Sequence, residues 1–118
     1  MKILIIDDKE LITQLVSYDL ESNGYTVIFA NSGITGLQKL RNFSIDLLLL
    51  DIEMPDLSGL DILRIMKTDS KLKDIKVVVL SGVKQYKEAA EALGCDAFIY
   101  KPFTASQLIA MIKEYEKN

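Results

Sequence analysis

The sequence predicts an α/β protein in which a strand-helix unit repeats five times, giving one parallel sheet with helices on both faces. Two observations predict it. Five short apolar runs, rich in β-branched or aromatic residues or in leucine, mostly lack alternation, as strands buried on both faces do. Between them lie segments with apolar residues at helical spacing, separated by turn signals.

In chain order, the first strand is Ile3–Ile6. Leu11, Leu15 and Val16 come next at i, i+4 and i+5, with Ile12 and Leu20 extending the stripe of a first helix. Asn23-Gly24 turns the chain into Tyr25–Ala30, and Asn31-Ser32-Gly33 into a helix marked by Ile34, Leu37 and Leu40. Leu47–Leu50 has helical propensity as four leucines, but its length and flanks favour a strand. Ser58-Gly59 opens a helix carrying Leu60, Leu63, Ile65 and Met66, and the polar stretch Lys67–Lys76 reads as a solvated loop. Val77–Leu80 is the fourth strand; Ala89, Ala90 and Leu93 mark the fourth helix before Gly94. Ala97–Tyr100 is the fifth strand. Leu108, Ile109, Met111 and Ile112 make the last helix, with Thr104 and Gln107 spaced as a capping box at its start.

Residues 1–118 read as one domain, with no repeat, linker or low-complexity segment. Nearly half the residues are apolar, enough for a core without staples. A net charge of −3 argues against a direct nucleic-acid surface, which needs clustered Lys and Arg. The apolar runs are too short for an export signal or a membrane span, so a cytoplasmic protein is expected. The single cysteine, Cys95, excludes an internal disulfide and reads as core filler in a reducing compartment. The sequence contains no histidine. That removes His-based triads, His-ligated zinc and phosphohistidine carriers, so any histidine in the chemistry must come from a partner.

The informative residues stand at the strand ends. The first run ends in Asp7-Asp8, the third in Asp51, the fourth in Ser81-Gly82 and the fifth in Lys101-Pro102. In a parallel sheet all carboxyl ends lie along one edge, where ligands bind in open α/β sheets. Three carboxylates there repel one another and call for positive charge. A hard divalent cation such as Mg²⁺ takes oxygen ligands, and Lys101 adds an ammonium. Cation, ammonium and hydroxyl are the set that stabilises a transferring phosphoryl group, and a carboxylate is a competent nucleophile for it. Taken singly, Asp7 or Asp8 could be a helix cap, Ser81 a turn residue and Lys101 a solvated lysine. Their joint arrangement, with Asp51 interrupting a buried run, points to phosphoryl transfer.

Four motifs then resemble the receiver domain of two-component response regulators, over essentially the whole chain: Ile5-Ile6-Asp7-Asp8, the stretch Leu50-Asp51-Ile52-Glu53-Met54-Pro55-Asp56-Leu57-Ser58-Gly59, Leu80-Ser81-Gly82, and Tyr100-Lys101-Pro102-Phe103. The resemblance implies a flavodoxin-like, CheY-like three-layer doubly wound (βα)5 sandwich of strand order 2-1-3-4-5. It implies that Asp51 is the phosphoacceptor and that Mg²⁺ (or Mn²⁺) is held by Asp8, by Asp51, by the backbone carbonyl of Glu53 and, mainly through water, by Asp7. It assigns Ser81 as the switch hydroxyl, Lys101 as the lysine that pairs with phosphoryl oxygens, and Phe98 as the switch aromatic. A cis Lys101–Pro102 bond is implied, as is a turn at Pro55 and Gly59. Glu53 and Val83 would tune loss of the group. Departures are few: serine stands where threonine is also common, and Phe98 lacks a tyrosine hydroxyl. Tyr100 reads as a surface aromatic.

By the same resemblance the chain is a switch and not a turnover enzyme. It takes a phosphoryl group from a sensor histidine kinase or phosphotransfer protein and catalyses only its own phosphorylation and dephosphorylation. It presents a changed surface, about 84–117, to a downstream protein or output domain. Three other readings share some of these residues. One is an aspartate-nucleophile phosphatase like the haloacid dehalogenases, which look for Asp-x-Asp after the first strand and usually carry a cap domain. Another is a flavodoxin-like electron carrier, against which the acidic first loop argues. The last is a receiver that only docks and takes no phosphate.

Overall fold

The computed structural model describes residues 1–116, and the side chains of all of these except residues 10–13. The chain alternates strictly: β1 (Lys2–Ile6), α1 (Glu10–Ser22), β2 (Thr26–Ala30), α2 (Gly33–Asn42), β3 (Leu47–Asp51), α3 (Gly59–Thr68), β4 (Lys76–Ser81), α4 (Tyr86–Ala92), β5 (Ala97–Tyr100) and α5 (Ala105–Glu114). All strand pairs are parallel and the sheet order is β2-β1-β3-β4-β5, as expected.

The central strands are strands because they are covered on both sides. Ile3 to Ile6, Leu47 to Leu50 and Val77 to Leu80 are all buried, and alternate residues serve different cores. Leu4, Ile6, Leu48, Leu50, Val77 and Val79 meet Leu40 of α2, Ile62, Leu63 and Met66 of α3, and Ala90 of α4. Ile3, Ile5, Leu47, Leu49, Val78 and Leu80 meet Leu20 of α1 and Leu108 and Ile112 of α5. The molecule is therefore three layers, and each buried aliphatic side chain contributes roughly 2 kcal/mol of transfer free energy. The helical propensity of Leu47–Leu50 is overridden because the sheet buries all four leucines.

Several boundaries and faces differ from the sequence reading. Asp51 and Ser81 are the last residues of their strands and do not lie just beyond them. Tyr25 precedes β2, although it is buried. Leu15 and Ile34, both on predicted apolar stripes, are exposed, and so is Ala89. Leu15 instead borders a groove of about 440 Å³ between α1 and α5, shared with Val16, Phe103, Leu108 and Ile109. Leu11 and Ile12, predicted for the same stripe, lie outside the described side chains. The 67–76 stretch is not wholly solvated: α3 runs to Thr68, and Leu72 is buried in the loop beyond it. The Thr104–Gln107 capping box forms in both directions, with Gln107 N–H on Thr104 Oγ1 and Thr104 N–H on Gln107 Oε1. Cys95 is half-buried against the α2–α4 core, and burial, with Glu91 and Asp96 adding to it, pushes its thiol up, as filler behaves. No helix among the described residues is long and apolar enough to cross a membrane.

Candidate phosphoryl-transfer and metal site

The carboxyl edge of the sheet collects the site because β1, β3 and β5 end there. Side-chain alternation continues Ile3, Ile5 to Asp7 and Leu47, Leu49 to Asp51, so both acids leave the sheet on the side of α1 and α5. Lys101 comes after Ala97 and Ile99 on that same side. Its Nζ lies 3.3 Å from Asp7 Oδ2 and 3.4 Å from Asp51 Oδ1, bridging the first and third strand ends. Asp7 Oδ1 is also occupied, accepting the Lys9 N–H at 2.9 Å. Asp8 is exposed and pairs with Lys9 Nζ at 3.5 Å.

Asp7, Asp8 and Asp51 each offer a carboxylate oxygen, and the three oxygens lie within 4.8 Å of one another. Asp51 is only 4% exposed, and its Oδ2 is buried with no hydrogen-bond partner among the described residues. Such an orphaned anionic oxygen is costly unless something positive meets it. Burial pushes the Asp51 carboxyl up; Lys101 pulls it down, Asp7 pushes it up again and Lys9 pulls it down, with a net rise. At Lys9 burial favours loss of the proton, but Asp51, Asp8 and Asp7 outweigh it and hold the ammonium charged. Three carboxylates that offer only hard oxygens, on a residue set in which Asp51 keeps one oxygen unsatisfied, fit a divalent cation such as Mg²⁺.

The expected switch residues stand on the other face. Asp51 pairs in register with Leu80, so Ser81, one residue on, turns toward the α3–α4 side. It is buried, and its Oγ accepts the Val83 N–H at 3.0 Å. Phe98 is half-buried against the α2–α4 core and meets Tyr100 edge-on, with ring centroids 5.2 Å apart. Tyr100 is exposed, with Lys87 Nζ 5.8 Å from its ring centre. Glu53 is exposed and shares an open hollow of about 660 Å³ with Asp8, Met54, Pro55 and Tyr86. Lys101–Pro102 is cis. Gly59 is required by close approach: a Cβ there would lie 2.4 Å from the Asp51 carbonyl oxygen. The structure thus brings together Asp7, Asp8, Asp51 and Lys101, and sets Ser81 and Phe98 on the opposite side of the sheet edge. The sequence reading missed Lys9, although an Asp-Asp-Lys run at a strand end was a signal for it.

A family model for the response regulator receiver domain matches residues 3–113. The chain belongs to this family. It is 34% identical to the polar-differentiation response regulator DivK of Brucella ovis, over 96% of this chain and 94% of that protein. Among solved structures it is similar to a CheY-like receiver domain protein from Methanospirillum hungatei, 31% identical with a TM-score of 0.90, covering 98% of this chain and 96% of that one. It is also similar to the response regulator TrrA of Thermotoga maritima, solved in complex with Mg²⁺-BeF, at 31% identity and a TM-score of 0.88, with 97% of each chain covered. A receiver is the phosphorylation-dependent switch of two-component signalling, and that is the function class of this chain. Membership favours the switch reading over the phosphatase and flavin-carrier readings, which rest on other families.

Proposed function

We propose that Asp51 is the phosphoacceptor of this receiver, which occupies residues 1–118 as one cytoplasmic domain. The observation that carries the proposal is the half-satisfied Asp51 carboxylate beside Asp7 and Asp8: Oδ1 is held by Lys101, and Oδ2 is buried with no partner among the described residues. Asp8, Asp51 and the Glu53 carbonyl would hold Mg²⁺ (or Mn²⁺), with Asp7 reaching it mainly through water. When bound, the ion supplies neutralising charge to the phosphoryl oxygens.

This chain's residues do the rest. A partner histidine kinase or phosphotransfer protein presents a phosphohistidine over the sheet edge. An Asp51 carboxylate oxygen attacks phosphorus in line; the new O–P bond forms as the N–P bond breaks, and the imidazole nitrogen leaves with the electron pair. Lys101 exchanges its Asp51 contact for a phosphoryl oxygen. Ser81 Oγ turns from Val83 N–H toward the phosphoryl group, and Phe98 repacks into the space this leaves. That biases the surface of α4, β5 and α5 for a downstream protein; Lys117, at the end of the face read from the sequence, lies outside the described residues. Water attack on phosphorus then resets the switch, with Glu53 and Val83 tuning its rate. The chain turns over no other substrate.

Incubation with acetyl phosphate and Mg²⁺, and then intact mass, tests this. Wild type gains one phosphoryl group and Asp51→Asn gains none. Equal labelling of both would remove Asp51 from the role.

A further inference from the structure

The loop after Asp51 is anchored at three places. At its start the Ile52 carbonyl accepts the Gly59 N–H at 2.9 Å. At its end Ser58 and Asp61 form a reciprocal capping box on α3. The middle anchor crosses to a different helix. Asp56 Oδ1 accepts the Gly33 N–H at 3.0 Å and Asp56 Oδ2 accepts the Ile34 N–H at 2.8 Å. Both partners lie in the first turn of α2, more than twenty residues earlier in the chain.

Two further facts show that this contact fixes position. The α2 first turn has its own cap, since Ser32 Oγ accepts the Thr35 N–H at 3.2 Å and the Ser32 carbonyl accepts the Gly36 N–H. Asp56 takes the two first-turn amides that Ser32 leaves, so the helix start is satisfied only jointly by local and distant groups. The backbones also meet closely: a Cβ at Gly33 would lie 2.6 Å from Leu57 Cβ and 2.7 Å from the Leu57 carbonyl oxygen. Between the Ile52 and Asp56 anchors runs Glu53-Met54-Pro55, the stretch whose first carbonyl is the proposed cation ligand.

We propose that Asp56 is a positioning residue for the cation site: by strapping the 52–58 loop to the start of α2, it holds the Glu53 carbonyl where the cation binds. The inference rests on the proposed metal site and deepens it. Groups that orient metal ligands typically matter by ten- to a hundredfold in affinity.

The test titrates Mg²⁺ alone into the full chain, tracking amide NMR shifts around Asp8 and Asp51, with thermal unfolding measured on the same samples. Wild type, Asp56→Ala, Asp56→Asn and Ser32→Ala are compared. Ser32→Ala removes the local cap of the same helix and leaves the loop strapped. The proposal expects Ser32→Ala and Asp56→Ala both to lower Tm, while only Asp56→Ala weakens Mg²⁺, by about tenfold. Asp56→Asn, which keeps an acceptor oxygen but no charge, recovers part of that loss. If Asp56→Ala binds Mg²⁺ as wild type does, or if Ser32→Ala weakens Mg²⁺ equally, Asp56 is only a helix cap. If Asp56→Asn is as weak as Asp56→Ala, its charge and not its position matters, and the proposal fails. A wild type that takes up no Mg²⁺ would instead defeat the metal reading itself.

Discussion

Aspartates stand at both ends of this sheet and do opposite things. At the amino edge Asp46 and Asp96 each precede a strand. Asp46 accepts the Lys2 N–H at 2.7 Å and returns its own N–H to the Lys2 carbonyl at 2.9 Å. Asp96 does the same with Val77, both bonds at 2.8 Å. These carboxylates finish the ladder where strand pairing starts. At the carboxyl edge Asp7, Asp8 and Asp51 crowd together with one buried oxygen unmatched. One residue type thus closes hydrogen bonds at one end and leaves uncompensated negative charge at the other. The lesson is that an acid's role depends on whether its surroundings satisfy it.

That contrast yields predictions of opposite sign. The largest concerns Lys101, which alone bridges Asp7 and Asp51 among the described ion pairs. Lys101→Met should slow phosphorylation of Asp51 by about a hundredfold or more, the usual cost of losing a charge-stabilising donor, read as the rate of label uptake from acetyl phosphate. Next, Asp96→Ala should lower stability by about 1–2 kcal/mol in urea unfolding, because the Val77 N–H loses its acceptor, and leave phosphorylation within about twofold of wild type. A comparable loss of phosphorylation would mean that the two edges are not independent.

Asp51→Asn should go the other way and stabilise the metal-free chain by about 1 kcal/mol at pH 7, roughly 3–5 °C in Tm. The Asp51 carboxyl sits above its usual range in the fold, chiefly because of burial. Its protonated form therefore favours folding, and that contribution is lost as pH rises from the unfolded carboxylate range, about 4, through the folded value. Asparagine mimics the protonated form, so the gain should shrink toward zero on acidification below about pH 4. Smallest, Phe98→Leu should cost about 1 kcal/mol or less, because the ring is only half-buried and the swap keeps an apolar group; a core-sized loss would place Phe98 among the rigid elements.

Much of this was legible in the sequence for a physical reason. Strands buried on both faces must be apolar throughout, so Ile3–Ile6, Leu47–Leu50 and Val77–Leu80 announce themselves, and the polar residues that end such runs fall at the carboxyl edge. That pattern alone brings Asp7, Asp8, Asp51 and Lys101 together. Contacts between distant turns were not legible. Nothing in Pro55-Asp56-Leu57 says that Asp56 reaches Gly33 and Ile34. Nothing in a helical stripe says that Leu15 and Ile34 face outward, because a helix of this sandwich buries only a narrow face and the stripes were wider. Nor does strand-end chemistry separate Asp51 from Ser81, which the register turns to opposite sides.

The most direct test of the central claim, that Asp51 contributes an unsatisfied charge awaiting a cation, is Tm against Mg²⁺ for wild type and Asp51→Asn at pH 7. Wild type should start lower and rise with Mg²⁺, gaining about 1.4 kcal/mol at ten times its Kd, while Asp51→Asn starts higher and stays nearly flat. Two curves that rise in parallel, or a variant that starts below wild type, would contradict it.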